Sequence, residues 1–193
     1  MEKIPRKLIF FMPSMEGGGV EKNLIIIANY ISEHIKNIKL ITFDNSFNKY
    51  FNKKIKIVYV TKKTQKKYSK YFKYICCIWL LIKEYLSDRN LLVFTFQANI
   101  YGIILAYFLK FKIISRSNSS PSGWNKSILK NIIFKFFLKK ANSIIVNSHE
   151  FKKEFKKKFF IKTNIIYNPL NKDEIIKKSN LIEKKYNQFL KTK

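Results

Sequence analysis

The chain has 193 residues, 47% of them hydrophobic, and a net charge of +27 from 39 Lys and Arg against 12 Asp and Glu. This length supports one domain with a sizeable core, and the hydrophobic share excludes an intrinsically disordered chain. The longest apolar stretches, 75–82 and 100–109, fall well short of the ~20 residues a membrane-spanning helix needs.

The first element is an apolar run, Leu8, Ile9, Phe10, Phe11 and Met12. It is too short for a helix and fits a strand buried on both faces. Pro13 ends it, because proline cannot donate to a central ladder. Gly17, Gly18 and Gly19 follow, then Val20, Leu24, Ile27, Ala28 and Ile31 recur at helical spacing. A strand, a glycine turn and a helix N-terminus together form an anion-binding geometry. The glycines fit equally well as a tight strand-to-helix turn. The dinucleotide pattern GxGxxG is not met.

The spacing predicts further strands at 38–43, 56–60, 91–96, 112–115, 142–146 and 164–167. Helices are predicted at 68–85, from Gln97 or Asn99 to 109, at 126–139, at 150–158 and at 173–190. Phe72, Ile75, Trp79, Ile82 and Leu86 mark the second helix, and Leu129, Ile132, Ile133, Phe136 and Phe137 the fourth. Ser148 is a good N-cap, Asp173 caps the last helix, and Asn168-Pro169 stops the last strand. Short apolar strands alternating with helices predict an α/β, Rossmann-like parallel sheet of about seven strands with helices on both faces. Ligands of such sheets sit beyond the carboxyl ends of the strands. The polar loops 13–19, 96–99, 116–123 and 147–150 would meet there.

Cys76 and Cys77 are the only cysteines. Two ligands cannot make a zinc site, so they read as buried thiols in a reducing compartment. Arg6, Arg89 and Arg116 are the only arginines in a lysine-dominated, Ile-, Asn- and Phe-rich chain. An A+T-rich codon supply accounts for much of the charge; the remainder attracts anionic lipid. No signal peptide is visible before the first strand. The expected location is cytoplasmic, peripheral to the inner face of the cell membrane.

The segments KLIFFMPSMEGGGVEKNLIIIANYI, FTFQANIYGIILA, IISRSNSSPSGW, KKANSIIVNSHEFKKEF and IIYNPLN occur in that order. With them the chain resembles the N-terminal domain of GT-B glycosyltransferases, in particular the retaining family 4 enzymes that build cell-surface glycans. The resemblance implies one GT-B half: an acceptor-side domain over residues 1–170, then a lysine-rich interdomain helix over 171–193. It implies a glycan or lipid-linked acceptor and no cofactor. The donor, a nucleotide-sugar, would enter with a separate second domain that carries a Glu-x7-Glu motif. Glu174 and Glu183 do not have that spacing, so the chain is expected to be a fragment, a truncated product or one component of a split enzyme, inactive alone.

The resemblance also implies substrate-binding positions. Gly18 and Gly19 match the glycine turn that approaches donor diphosphate and acceptor. Glu21 either contacts an acceptor hydroxyl or only complements the helix dipole. Asn99 either faces the acceptor or is an N-cap. Arg116, at the end of the fifth strand, offers a planar guanidinium suited to phosphate. Ser117 and Asn118 stand where many relatives have a histidine, and neither can act as a general base. No catalytic or metal-binding residue is assigned. His34 and His149 read as structural, and Trp124 either stacks on a ligand or packs on the next helix. Two other classes compete. A non-catalytic Rossmann-like binding module would bind ligand without transfer. Nucleic-acid binding is suggested by charge, but no specific nucleic-acid motif is present.

Overall fold

The computed structural model describes residues 7–62, 67–97, 99–124 and 127–170, together with Ile176, Ser179, Asn180 and Ile182. The predicted helix at 173–190 and its Asp173 cap lie largely outside the described residues. The strands are β1 (Lys7–Phe11), β2 (Ile38–Asp44), β3 (Ile55–Thr61), β4 (Leu91–Thr95), β5 (Lys112–Ser117), β6 (Ser143–Val146) and β7 (Asn164–Ile165). The helices are α1 (Gly19–His34), α2 (Lys70–Ser87), α3 (Asn99–Leu109), α4 (Ile128–Leu138) and α5 (His149–Phe159).

All seven strands pair in parallel, in the order β3-β2-β1-β4-β5-β6-β7. β1 is central, its Phe10 level with Leu40 on one side and Phe94 on the other. All five of its residues are buried, as a strand covered on both faces requires. Side chains alternate across it. Ile9 and Phe11 join the core beneath α2, α3, α4 and α5, through Cys77, Leu81, Ile103, Ala106, Leu138, Phe155 and Phe159. Leu8 and Phe10 join the opposite core, where α1 supplies Leu24 and Ala28. Right-handed crossovers produce this division, since the chain moves one way from β1 to β2 and the other way from β4 onward. β2 reaches β3 without an α-helix, through a short 3₁₀ turn at Asn48–Tyr50; Phe47 and Phe51 beside it fill the α1 side.

Local chemistry sets the helix ends. Ser69 Oγ accepts from Phe72 N–H at 3.2 Å and Ser148 Oγ from Phe151 N–H at 3.1 Å, so both are side-chain N-caps. α5 ends at Phe160, whose φ of 57° is left-handed, an uncommon conformation for a bulky side chain.

Two helices turn an unexpected face inward. α2 buries Tyr74, Cys77 and Leu81, while Phe72, Ile75, Trp79 and Leu86 are exposed. α4 buries Leu138, while Leu129, Ile132, Ile133 and Phe136 are exposed. The stripes that identify these helices in the sequence point largely outward. The adjacent cysteines separate as well. Cys77 is buried, with its thiol pushed well above the usual range by loss of solvation, whereas Cys76 is only partly buried; both are free.

Candidate functional site

The strand order reverses between β1 and β4, and crevices of doubly wound sheets form at such a switch point. Here a cleft of about 440 Å³ opens there. Met12 follows β1, Phe96 and Gln97 follow β4, Ser117 ends β5, and Asn118 and Ser119 follow it; all line the cleft. Glu21 of α1, Lys70 and Tyr74 of α2, Asn99 of α3, Trp124 and Phe134 complete much of the wall.

The loop between β1 and α1 is held from several sides. Ser14 N–H donates to Gln97 Oε1 at 2.7 Å, and Ser14 Oγ accepts from Lys73 Nζ at 3.1 Å. Glu16 N–H donates to Glu21 Oε1 at 3.1 Å. Gly17 carries the turn with φ of 86°, while Gly18 is the extended N-cap of α1. A side chain at Gly19 would meet only open space. The conformational demand therefore falls on Gly17, beside the Gly18 and Gly19 pair singled out by resemblance.

Asn99 and Asn118 form the polar centre. Asn99 Nδ2 donates to Arg116 O at 2.7 Å, and Asn118 Nδ2 to Phe96 O at 3.1 Å. Both amide nitrogens face carbonyls, which sets the amide orientation. The two Oδ1 atoms are buried without a hydrogen-bond partner among the described residues. Asn99 therefore uses its side chain to tie α3 to β5 rather than to cap its own helix. Glu21 is buried with one carboxylate oxygen engaged by the loop. Once the two amides shift to open their Oδ1 atoms to the cleft, these groups can accept hydrogen bonds from a hydroxyl-rich ligand, and Tyr74, Phe96 and Trp124 provide apolar faces beside them.

Arg116 behaves differently. β5 runs through it to Ser117, so it is inside the strand rather than at its end. It is fully buried and is not among the residues lining the cleft. Its Nη2 donates to Ile166 O at 3.1 Å and Asn168 Oδ1 at 3.0 Å, while Nε and Nη1 have no partner among the described residues. Burial lowers the guanidinium's proton affinity below its usual level. Of the six predicted positions, the structure brings Glu21, Asn99 and Asn118 to one cleft, sets Gly18 and Gly19 at the N-terminus of α1, and turns Arg116 toward the segment after β7.

Trp124 packs in T-shaped contact with Phe134 and Phe155 while donating Nε1–H to Ser119 Oγ at 2.8 Å. Below it, Glu154 accepts from Ser120 and from Ser122 N–H and Oγ. Those side-chain hydrogen bonds hold its carboxyl below the usual range. Lys70, Tyr74 and Gln97 were not singled out as site residues by sequence. Lys70 and Tyr74 arrive on α2 from a distant part of the chain, and their only sequence signal is position in the first turns of a helix. Among the described residues no group of acids, histidines and cysteines could hold a metal ion.

No family model and no curated protein matches the chain. Solved structures do. Alr3699/HepE of Anabaena, solved in complex with UDP, superposes with a TM-score of 0.60 at 16% identity over 85% of this chain. UGT73P12 of Glycyrrhiza uralensis, solved with glycyrrhetinic acid 3-O-monoglucuronide, gives 0.57 at 11% identity over 83%. UGT2 of Phytolacca americana, solved with UDP-2-fluoro-glucose and pterostilbene, gives 0.51 at 9% over 86%. The chain spans 44%, 48% and 55% of their respective lengths. At these identities the likeness establishes the fold: a Rossmann-like half of the GT-B architecture.

Proposed function

We propose that this chain is the acceptor-side half of a retaining, family 4 glycosyltransferase acting on a cell-surface glycan or lipid-linked acceptor at the inner face of a membrane. In this reading residues 1–170 are the acceptor-side domain and 171–193 a lysine-rich interdomain remnant. The supporting observation is the convergence of Glu21, Asn99 and Asn118 on one cleft at the switch point, within a fold shared with proteins solved with UDP. Asn99 and Asn118 accept hydrogen bonds from the acceptor's hydroxyls, Glu21 fixes the loop and offers its second oxygen, and the aromatic walls take the sugar's apolar face. Arg116 anchors the segment at Asn168 that leaves the domain. The glycine turn and the N-terminus of α1 face the donor's diphosphate when the second half is present.

Saturation-transfer NMR against saccharides and lipid-linked sugars tests the reading. The wild-type chain is expected to give signal from sugar protons. Asn99→Ala with Asn118→Ala should weaken binding about tenfold, the loss of two hydrogen bonds to uncharged groups. No transfer from a nucleotide-sugar is expected from the 193-residue chain alone. Turnover by that chain would overturn the division of labour, and saccharide binding unaffected by the double substitution would move the acceptor elsewhere. Binding without transfer even in the presence of a matching donor half would favour a non-catalytic binding module.

A further inference from the structure

The apolar stripes of α2 and α4 face away from the core on the same side of the sheet, since both helices pack their inner faces into the same cluster. Leu129 is 74% exposed, Ile75 67% and Trp79 55%, and Ile132, Ile133 and Phe136 are exposed beside them. α3 adjoins the α4 stripe, its Tyr107 meeting Phe136 at 6.1 Å. A monomer in water rarely exposes so many large apolar side chains on one side of its sheet.

The charge of this face is uniform. No aspartate or glutamate lies between Asp88 and Glu150. In α2, Glu84 is turned to Lys7 and Lys39 at 3.2 and 2.8 Å. Lysines border the rings: Lys83 Nζ sits 3.4 Å over the Trp79 centroid, and Lys140 Nζ lies 4.9 Å from Phe136 and 5.3 Å from Tyr107. Ammonium groups held against aromatic rings suit the boundary between acyl chains and headgroups. A second copy of this chain would set lysine against lysine across a face without acids. A nucleic acid would match the charge and leave the aliphatic stripes exposed. An anionic bilayer complements both features.

We propose that the outer surface of the α2–α3–α4 layer is a membrane-docking face that seats in the headgroup region of an anionic bilayer. It gives the membrane contact named above a location, and rests on that part of the reading alone. Flotation of the full chain with phosphatidylcholine vesicles, with and without phosphatidylglycerol, at about 0.15 M salt tests it. Two variants leave the charge unchanged and alter exposed positions only: Ile132→Ser with Phe136→Ser, and Ile75→Ser with Trp79→Ser. Thermal unfolding confirms that each folds. Wild type is expected to float with the anionic vesicles, and each variant to lose about tenfold or more in partitioning. The proposal fails if both variants float as wild type does, which would mean attachment by charge alone. It also fails if wild type stays unbound, or if sedimentation reveals a dimer that the variants dissociate. The vesicles carry no glycan, so neither result bears on the acceptor cleft.

Discussion

At the residue scale, chemistry and conformation select different positions. Gly17 holds φ of 86°, a conformation in which a Cβ costs roughly 1 kcal/mol. Gly17→Ala should lower stability by about that amount. Gly19→Ala, with open space around it at the start of α1, should leave stability within about 0.5 kcal/mol of wild type. Chemical denaturation of both variants measures the contrast, and equal losses would refute it. Glu84 is the second test. Burial raises its pKa, but hydrogen bonds and charge from Lys39 and Lys7 outweigh that and leave it lowered. Its contribution is therefore fully present above the ordinary glutamate value of about 4.3 and is lost as pH falls through the lower folded value. Glu84→Gln leaves Lys7 buried without its counter-ion, which should cost about 3 kcal/mol near neutrality. The gap between wild type and variant should narrow as pH falls below about 4; a gap independent of pH would show that the carboxylate's charge is irrelevant.

At the element scale, α3 illustrates how closely a helix can approach the sheet. A side chain at Gly102 would lie 3.0 Å from Thr95 Cγ2 and 3.3 Å from Ile113 Cδ1. Gly102→Leu should push α3 off β4 and β5 at a cost of about 1–3 kcal/mol. Because Asn99 opens the same helix and bonds Arg116 O, the saccharide binding proposed for the cleft should weaken with it. Retained stability in a melt would show that the contact can relax. Most elements were legible in the sequence, because a parallel strand between two cores reads as a short apolar run and Ser148 stands where a cap is needed. β5 is longer than its apolar residues, since Ser115, Arg116 and Ser117 are polar yet buried in the ladder. The inward faces of α2 and α4 were not legible. Their regular stripes are real, but periodicity shows only that a helix has an apolar side.

At the scale of the whole molecule, charge and layering dominate. The net charge is +27, and the ion pairs among the described residues involve few of the cations. Self-repulsion should therefore limit stability. Raising salt from about 0.01 to 0.15 M, which shortens the screening length from about 30 to 8 Å, should raise the melting temperature. A fall in calorimetry would show that specific ion pairs outweigh the repulsion. The candidate site was half legible: polar loops after β1, β4 and β5 announce a crevice, and Glu21, Asn99 and Asn118 line it. Arg116, expected at the end of the fifth strand as a phosphate ligand, lies inside the domain, where it meets a segment fifty residues later in the chain. Composition and periodicity by themselves determined a parallel α/β sheet and the loops at its carboxyl edge, because strand burial and helix spacing are local properties of consecutive residues. Tertiary structure alone decided which helix faces meet the sheet, that Tyr74 joins the cleft and that Arg116 turns inward. Those outcomes depend on crossover handedness and on packing between segments far apart in the chain, which no local pattern encodes.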